Sequence, residues 1–525
     1  MEIEDVVLPP SPPDAQERFE QLQERLVPLW HSIESLNDDP QTIVVVPSIS
    51  IDMLEGSSIA MQPYEERYLF LLLLLRQPRA RLVYVTSQPI HPHVVDYYLG
   101  LLPGVIPSHA RARLFTVPVF DGTQRPLSMK LLERPRLLER IRALVPDPTR
   151  AHLVPYNTTA LERDLAVRLG IPMYGADPRH FAFGTKTGCR RLFAEEGVPH
   201  PLGVEDLWSI DDVIDAILDL RRARPGIEHV LVKLNEGVSG EGNALVDLRA
   251  LPAPGAPDER DAARAAVERL QLELQEATFT TYVGRLAERG GVVEERLEGY
   301  EVRSPSVQLR VTPLGELELL STHDQLLGGP SGQTYLGCVF PADRQYATAI
   351  THEAAKIGRR LAKEGVIGRF ALDFLAVRNA DRWETYAIEV NLRKGGTTHP
   401  FLTLQFLTDG TYDPETATYT APSGTRKFFV ASDQVESRAY RGLTPDDLFD
   451  VAVRHNLHFC QSRQIGVVFH MMAALTESGH LGLTAVADSP SEARDLFDRA
   501  IAVLDAEAEV ASASPPLPPP STRSA

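Results

Sequence analysis

Oxygen-bearing side chains recur within residues 369–401, where Asp373 lies in one alternating stretch and Glu389 and Asn391 lie in the next. A turn-forming Asn-Ala-Asp cluster separates the two stretches, which are therefore predicted to pair as a β-hairpin. Two carboxylates and an amide oxygen on one sheet face make a poor core but suit Mg²⁺, which takes oxygen ligands and keeps positions free for phosphates. The alternative is a solvated hairpin face without a ligand.

The second strand of this hairpin leads into a basic glycine turn. Because side chains alternate along a strand, we expect Ala387, Glu389 and Asn391 to share one face. Ile388 and Val390 would then lie on the other face. The turn suits the binding of an anion, although an ordinary glycine turn has a similar composition. It consists of Arg393, Lys394, Gly395, Gly396, Thr397 and Thr398.

Three earlier segments contain lysines, glycines and acids that suit a phosphate-bearing ligand. Lys186 lies in a helical stretch, and Lys233 lies on a predicted strand that is followed by a glycine loop at 237–243. Residues 292–301, VVEERLEGYE, contain several acids. Taken singly, each segment has an ordinary interpretation, because strand-edge lysines usually extend to water and glycine loops usually only turn the chain.

In this order and spacing, the four segments resemble the ATP-grasp superfamily of carboxylate–amine ligases over roughly residues 181–405. The resemblance implies that Lys186 and Lys233 contact the phosphates of ATP and that the glycine loop closes over them. It also implies a contact to the adenine amino group, a backbone hinge beside the adenine and an acid that binds the ribose. The implied loop residues are Gly237, Ser239, Gly240 and Gly242, the adenine contact is Glu294, the hinge runs from Glu295 to Leu297, and the ribose acid is Glu301.

The same resemblance assigns the hairpin to the metal and the turn to the substrate. One or two Mg²⁺ ions would be held by Asp373, Glu389 and Asn391. Residues 393–398 would grip the substrate carboxylate and the transferred phosphate, with Arg393 making bidentate contacts to an oxyanion.

One position departs from the superfamily pattern. His323-Asp324-Gln325 stands where related ligases place a further basic contact to phosphate. Arg310 and Arg369 are the candidates for that catalytic role.

The flanking segments narrow the resemblance to the pheganomycin-type peptide ligases, through residues 48–70 and 466–482. In that group ATP activates an amino-acid-like carboxylate as an acyl phosphate, which the amine of a peptide attacks, with ADP and phosphate as products. Two alternatives remain. One is a ligase of the same fold for single amino acids or a non-peptide amine, and the other is a nucleotide-binding regulatory protein without turnover.

The composition excludes several classes of protein. A net charge of −18 argues against a nucleic-acid or anionic-membrane partner, and the longest apolar run, Leu69–Leu75, is far too short to span a bilayer. Three distant cysteines form no zinc or disulfide pattern, and the N-terminus lacks signal-peptide features, so we expect a cytoplasmic protein. The expected partners are a small-molecule carboxylate and an amine or peptide acceptor, and a homodimer is the common default.

The order of elements predicts a multidomain α/β and α+β architecture. Strands that alternate with helices indicate an N-terminal α/β (pre-ATP-grasp) domain with a mostly parallel sheet. A two-lobed ATP-grasp fold and a small C-terminal α+β domain would follow, and the Pro- and Ser-rich ends are predicted to be disordered. The expected boundaries are 1–15 disordered, 16–180 N-terminal, 181–405 ATP-grasp, 401–425 loop, 426–508 C-terminal and 509–525 disordered.

Overall fold

The computed structural model describes residues 11–34, 40–51, 61–237, 240–274, 277–328, 332 and 334–513. No helix within these ranges is both long enough and apolar enough to cross a bilayer. The helices are α1 (Ala15–Gln23), α2 (Leu26–Glu34), α3 (Met61–Glu66), α4 (Pro92–Gly100), α5 (Pro107–Arg111), α6 (Leu127–Leu132), α7 (Pro135–Ala143), α8 (Ala160–Leu169), α9 (Lys186–Glu195), α10 (Ile210–Ala223), α11 (Glu259–Val267), α12 (Phe279–Arg289), α13 (Arg344–Lys363), α14 (Thr398–Thr408), α15 (Pro445–Arg454), α16 (Ala474–Ser478) and α17 (Pro490–Ala513). Short 3₁₀ helices span Arg67–Arg76, Pro148–Arg150, Pro178–Gly184 and Arg438–Gly442.

The strands form three larger sheets and one small hairpin within the described residues. They are β1 (Gln41–Val46), β2 (Ala80–Thr86), β3 (Leu114–Pro118), β4 (Ala151–Pro155), β5 (Gly203–Leu207), β6 (His229–Leu234), β7 (Asn243–Asp247), β8 (Gln271–Leu272), β9 (Gly291–Glu295), β10 (Glu301–Val311), β11 (Leu317–Gly328), β12 (Thr334–Phe340), β13 (Gly368–Asn379), β14 (Arg382–Asn391), β15 (Thr411–Asp413), β16 (Thr418–Thr420), β17 (Phe428–Glu436), β18 (Gly466–His470) and β19 (His480–Ala487).

The N-terminal sheet has the order β3-β2-β1-β4 and is parallel throughout. The first strand reads as a continuous apolar run because both of its faces are covered. Ile43 and Val45 pack into one hydrophobic core, and Val44 and Val46 pack into another. The predicted parallel α/β arrangement is therefore confirmed.

A five-stranded antiparallel sheet, β5-β9-β6-β7-β8, forms the smaller lobe that contains Lys233. Its strands share a core with α10 and α12, to which Val213, Val232 and Leu286 contribute. Ser209 caps the start of α10, because its hydroxyl accepts a hydrogen bond from the Asp212 amide at 3.1 Å.

The largest sheet has eight strands in the order β14-β13-β10-β11-β12-β17-β19-β18. The segment expected as the C-terminal α+β domain, 426–508, continues this antiparallel sheet, because β17 pairs directly with β12. A strand exposes unpaired N–H and C=O groups at its edge, and β17 covers those of β12. Pairing between such distant segments has no local signal in the sequence.

Three other boundaries differ from expectation. Ser11 donates to Asp164 and α1 begins at Ala15, while residues 509–513 continue α17, so these ends belong to the fold. Residues 401–425 contain most of α14 and the β15–β16 hairpin instead of a loop. Helix α14 is buried around most of its circumference, and it therefore lacks the alternating apolar and polar faces that usually reveal a helix. Residues 1–10 and 514–525 lie outside the described residues.

Candidate active site

The predicted hairpin forms from β13 and β14, and Asp373 lies directly opposite Glu389. A β-bulge adjoins this pair, because Phe374 pairs with Ala387 and Ile388 is the extra residue. The bulge changes the alternation of the strand. Ala387 packs into a hydrophobic core, so the expectation that it shares the face of Glu389 is wrong.

Two amide side chains hold the Asp373 carboxylate between them. Gln325 Nε2 donates to Asp373 Oδ1 at 2.8 Å, and Asn391 Nδ2 donates to Oδ2 at 2.8 Å. Because Asn391 uses its nitrogen in this bond, its amide oxygen remains as a ligand atom. Burial, followed by the charge of Glu389, raises the pKa of Asp373 to about 7. A divalent cation would relieve this repulsion between neighbouring carboxylates.

Lys186 begins α9 and reaches the other carboxylate of the pair. The Thr185 hydroxyl caps the helix by accepting from the Gly188 amide at 3.0 Å. Lys186 Nζ lies 2.5 Å from Glu389 Oε2. Burial disfavours both charges, yet the ion pair outweighs it, so the pKa of Glu389 is lowered and that of Lys186 is raised.

Lys233 forms a second, deeper ion pair. Its Nζ lies 2.5 Å from Glu294 Oε2, and Arg190 Nη1 donates to Glu294 Oε1 at 3.1 Å. Burial alone would raise the pKa of Glu294, but Lys233 and Arg190 lower it. The resemblance assigned Glu294 to the adenine amino group, whereas here its carboxylate contacts these two cations. The charge of Lys233 also lowers the pKa of Glu389, so the two ion pairs form one cluster.

The glycine loop joins β6 to β7 and is closed by backbone contacts. Leu234 donates to the carbonyl of Gly242 at 3.0 Å, and Gly240 has a φ of 84°. A Cβ atom at Gly237 would lie only 3.3 Å from the nitrogen of Gly242, so glycine permits the close approach of the two loop ends. The predicted loop residue Ser239 lies outside the described residues.

The predicted adenine and ribose residues lie at the end of β9 and the start of β10. Glu295 is tied to Leu202, since its carboxylate accepts from the Leu202 amide at 2.9 Å and its own amide donates to the Leu202 carbonyl at 2.8 Å. Leu297 is half-buried. The carboxylate of Glu301 accepts from Arg303 Nε at 2.7 Å, so a ribose hydroxyl would share or replace this partner.

The predicted substrate turn lies over the face of the large sheet. Gln308 Nε2 donates to Thr397 Oγ1 at 2.9 Å and anchors the end of the turn to β10. Gly396 packs against the ring of Tyr335, where a Cβ atom would come within 2.5 Å of Cε1. A Cβ atom at Gly395 would meet open space. The turn is therefore packed on one side and open on the other.

The basic residues of the turn face the carboxyl end of β4. Lys394 Nζ donates to the carbonyl of Pro155 at 2.5 Å, and Arg393 Nη1 lies 3.5 Å from Tyr156 Oη. Burial, followed by the charge of Arg369, lowers the pKa of Lys394 to about 7. The carboxyl edge of a parallel sheet is where α/β proteins commonly bind ligands.

Arg310 and Arg369 do not meet the metal ligands. They lie opposite each other on β10 and β13, four residues along the strands from the pair formed by Ser306 and Asp373. That spacing corresponds to about 13 Å at the usual rise of a strand. Arg310 Nε donates to Glu318 at 2.6 Å, and burial lowers the pKa of Arg369 to about 10. Their assignment as contacts to the transferred phosphate is not supported by this placement.

His323 stands where related ligases place a basic contact to phosphate, and its surroundings in the structure exclude that role. The imidazole is fully buried among the rings of Phe340, Phe401 and Phe429, and burial lowers its pKa to about 3. A neutral core histidine cannot serve as a basic phosphate contact. Gln325, two residues later on β11, is the side chain that reaches Asp373.

Three residues contact the site in ways that the sequence did not predict: Gln325, Arg190 and Tyr335. Arg190 follows Lys186 by four positions and therefore lies on the same side of α9, a spacing that was visible in the sequence. Gln325 and Tyr335 come from strands distant in sequence from the residues they contact, and no local pattern marks them.

Comparison with known proteins shows which families the chain resembles. Residues 180–288 and 265–415 match the model for an IQCH-like ATP-grasp domain, and residues 447–500 match that of the PGM1 C-terminal domain. L-propargylglycine–L-glutamate ligase of Streptantibioticus cattleyicolor is 29% identical over 84% of this chain and 88% of that protein. IQ motif-containing protein H of Danio rerio is 24% identical over 77% of this chain, and the match spans 42% of its length.

Solved structures support the fold. Biotin carboxylase from Campylobacter jejuni aligns with a TM-score of 0.53 at 12% identity, over 90% of this chain and 96% of that one. The biotin carboxylase domain of Hydrogenobacter thermophilus 2-oxoglutarate carboxylase gives a TM-score of 0.51 at 12% identity, over 88% and 89% of the two chains. The fold and the family model thus indicate an ATP-grasp domain at residues 180–415. The chain is similar to ATP-dependent ligases of the ATP-grasp superfamily.

Proposed function

We propose that the protein forms an amide bond through an acyl phosphate, joining an amino-acid-like carboxylate to the amine of a peptide, with release of ADP. The observation that supports this proposal is the cluster of two ion pairs, Lys186–Glu389 and Lys233–Glu294, in which Asp373 lies beside Glu389. Metal-binding oxygens and phosphate-binding lysines lie within one half-buried site. Such an arrangement suits phosphoryl transfer, which depends on positioning and on neutralisation of charge.

The residues present fit Mg²⁺ and ATP. Asp373, Glu389 and the amide oxygen of Asn391 are hard oxygen donors. Burial, followed by the charge of Glu389, raises the pKa of Asp373, and a bound cation would favour its charged form. When bound, Mg²⁺ and ATP supply a phosphoryl group that converts the poorly reactive carboxylate into an acyl phosphate.

The chain's own residues bind, orient and exclude water. Lys186 and Lys233 present ammonium groups to phosphate oxygens, and backbone amides of the loop at 240–242 approach the same oxygens. Arg393 holds the oxyanion of the substrate through parallel N–H bonds. Closure of the glycine loop keeps water from the acyl phosphate until the amine attacks. This chemistry requires no nucleophilic serine or cysteine.

The identity of the amine acceptor is the more specific part of the proposal. The relative from Streptantibioticus cattleyicolor is named for the joining of two amino acids, and its match covers most of this chain. That name supports an amino-acid-like carboxylate, and it favours a single amino acid as the second candidate for the acceptor. A peptide acceptor remains our first proposal because of the resemblance to the pheganomycin-type ligases.

A matrix of substrates tests the proposal. Purified protein, Mg²⁺ and ATP would be incubated with candidate amino acids paired with short peptides, single amino acids or simple amines, and ADP release would be measured. We expect ADP only when both partners are present, and the highest rate with a peptide amine. ADP release that ignores the second substrate would contradict a ligase. Nucleotide binding without turnover across the matrix would favour a regulatory protein.

A further inference from the structure

Three side chains that commonly bind metals meet outside the candidate active site: His399, Asp433 and His470. His399 lies in the first turn of α14, Asp433 lies in β17, and His470 ends β18. Each is at most 3% exposed. Buried polar groups at this depth need a specific partner, and the proposed ligase chemistry uses none of the three.

The potential ligand atoms form a small triangle. His399 Nε2 lies 3.1 Å from His470 Nε2, and Asp433 Oδ1 lies 3.1 Å from the first nitrogen and 2.8 Å from the second. Three atoms with these separations can all lie about 2 Å from one point above their plane, which is the bond length that imidazole nitrogen and carboxylate oxygen make to zinc.

The donor set indicates the class of ion. Two imidazole nitrogens and one carboxylate oxygen suit zinc, iron, cobalt or nickel, whereas Mg²⁺ and Ca²⁺ prefer oxygen alone. We propose that His399, Asp433 and His470 bind one divalent transition-metal ion, with Zn²⁺ as the first choice. Water completes the coordination, as in zinc sites that have three protein ligands.

The surroundings hold the three ligands in place. Arg67 Nη1 lies 2.6 Å from Asp433 Oδ2, the carboxylate oxygen that does not face the histidines, and outer-shell hydrogen bonds of this kind orient metal-binding carboxylates. A Cβ atom at Gly482 would overlap the imidazole of His470, so glycine at this position provides the space for the ring. Both Nε2 atoms face the same carboxylate oxygen, Asp433 Oδ1.

The ion would link distant parts of the fold. His399 directly follows Thr398, at the end of the substrate turn, while Asp433 and His470 belong to the strands that extend the large sheet. A metal bound here would fix the start of α14, and hence the turn, to β17 and β18. It would be separate from the Mg²⁺ ligands on β13 and β14.

Cobalt binding tests this inference without any measurement of ligase activity. The full chain would be treated with a chelator, loaded with Co²⁺ in the absence of nucleotide, and desalted before elemental analysis and visible spectroscopy. We expect about one Co²⁺ per chain with ligand-field absorption. His470→Gln and Asp433→Asn should each weaken binding at least about tenfold. Asp373→Asn should keep the spectrum, and so should His93→Gln, which alters the separate, exposed group of His91, His93 and Asp446.

Thermal unfolding of the wild-type chain provides a second readout that does not depend on the folding of a variant. Chelation should lower the midpoint, and added Zn²⁺ should restore it, because an ion that binds only the folded state stabilises that state. Wild-type protein that retains less than about a tenth of an equivalent of Co²⁺ would overturn the inference, as would full binding by His470→Gln. In either case the cluster is only a hydrogen-bonded network, and the proposed ligase function is unaffected.

Discussion

Lys186 Nζ lies 2.5 Å from Glu389 Oε2, so the ammonium proposed to meet phosphate and the carboxylate proposed to hold Mg²⁺ neutralise each other. A metal that binds before the nucleotide must compete with this ammonium for the carboxylate. Charge-assisted hydrogen bonds of this kind contribute about 1.5–3 kcal/mol, which is enough to alter metal affinity roughly tenfold or more. If nucleotide and metal bind together, Lys186 exchanges Glu389 for a phosphate and Glu389 exchanges Lys186 for the metal. Separation of the ion pair then costs the least free energy.

Removal of this lysine should therefore have two opposite effects. Lys186→Met should tighten Mn²⁺ binding to the nucleotide-free protein roughly tenfold, because the competing cation is gone. The same substitution should lower the ligation rate at least about a hundredfold, because a phosphate contact is lost. Electron paramagnetic resonance of free Mn²⁺ measures the first effect. Unchanged or weaker Mn²⁺ affinity would contradict the competition between Lys186 and the metal.

Substitution of the metal ligand should separate catalysis from folding. Glu389→Gln keeps the shape and a hydrogen-bond acceptor for Lys186 but removes the charge, so we expect at least about a hundredfold loss of ligation with an unchanged circular dichroism spectrum. Glu384 lies on the same strand and is exposed, so Glu384→Gln is the matched control and should retain activity. Normal activity of the Glu389 variant would favour a non-catalytic role for the site.

The second ion pair should also contribute to stability, apart from the proposed contact of Lys233 to phosphate. Lys233→Met leaves the buried carboxylate of Glu294 with Arg190 as its remaining partner, which should cost about 3 kcal/mol of unfolding free energy. The double variant Lys233→Met/Glu294→Leu should recover part of that loss, because the uncompensated buried carboxylate is gone and Arg190 keeps Glu205 as a partner. Urea denaturation measures the free energy of unfolding of the single and the double variant. Equal losses in the single and double variants would contradict the coupling.

The raised pKa of Asp373 predicts that the free energy of unfolding of the metal-free protein depends on pH. Its pKa is raised from 3.8 to about 7, so between these values the folded state holds a proton that the unfolded state has released. The contribution of this group to the free energy of unfolding therefore falls as pH rises from about 4 to 7 and is constant above that range. Asp373→Asn should gain stability relative to wild type over this window. Urea denaturation in chelator measures the difference, which must depend on pH.

The local chemistry of the site was predictable from the sequence, because it follows from short-range patterns. The turn-forming cluster between β13 and β14 predicted the hairpin in which Asp373 and Glu389 face each other. The lysines and the glycine loop were recognisable from their type and order. The bulge at Ile388 was not, because it depends on packing of both hairpin strands against the core and leaves no mark on alternation.

Contacts between distant segments explain the remaining differences. Gln325 donates to Asp373 from β11, a strand outside the hairpin, and this partnership has no local signature. The pairing of β17 with β12 likewise joins segments some ninety residues apart, and it connects the C-terminal segment to the large sheet. Such pairings are decided by the burial of whole strands, which a window of sequence does not contain.

Transfer of oxygen from the carboxylate to phosphate tests the central claim most directly. The carboxylate partner would be labelled with ¹⁸O, incubated with the protein, Mg²⁺, ATP and the amine partner, and the products analysed by mass spectrometry. Formation of an acyl phosphate on this site predicts ADP together with inorganic phosphate that carries one ¹⁸O atom for each amide bond formed. Release of AMP and pyrophosphate, with the label in AMP, would contradict the account.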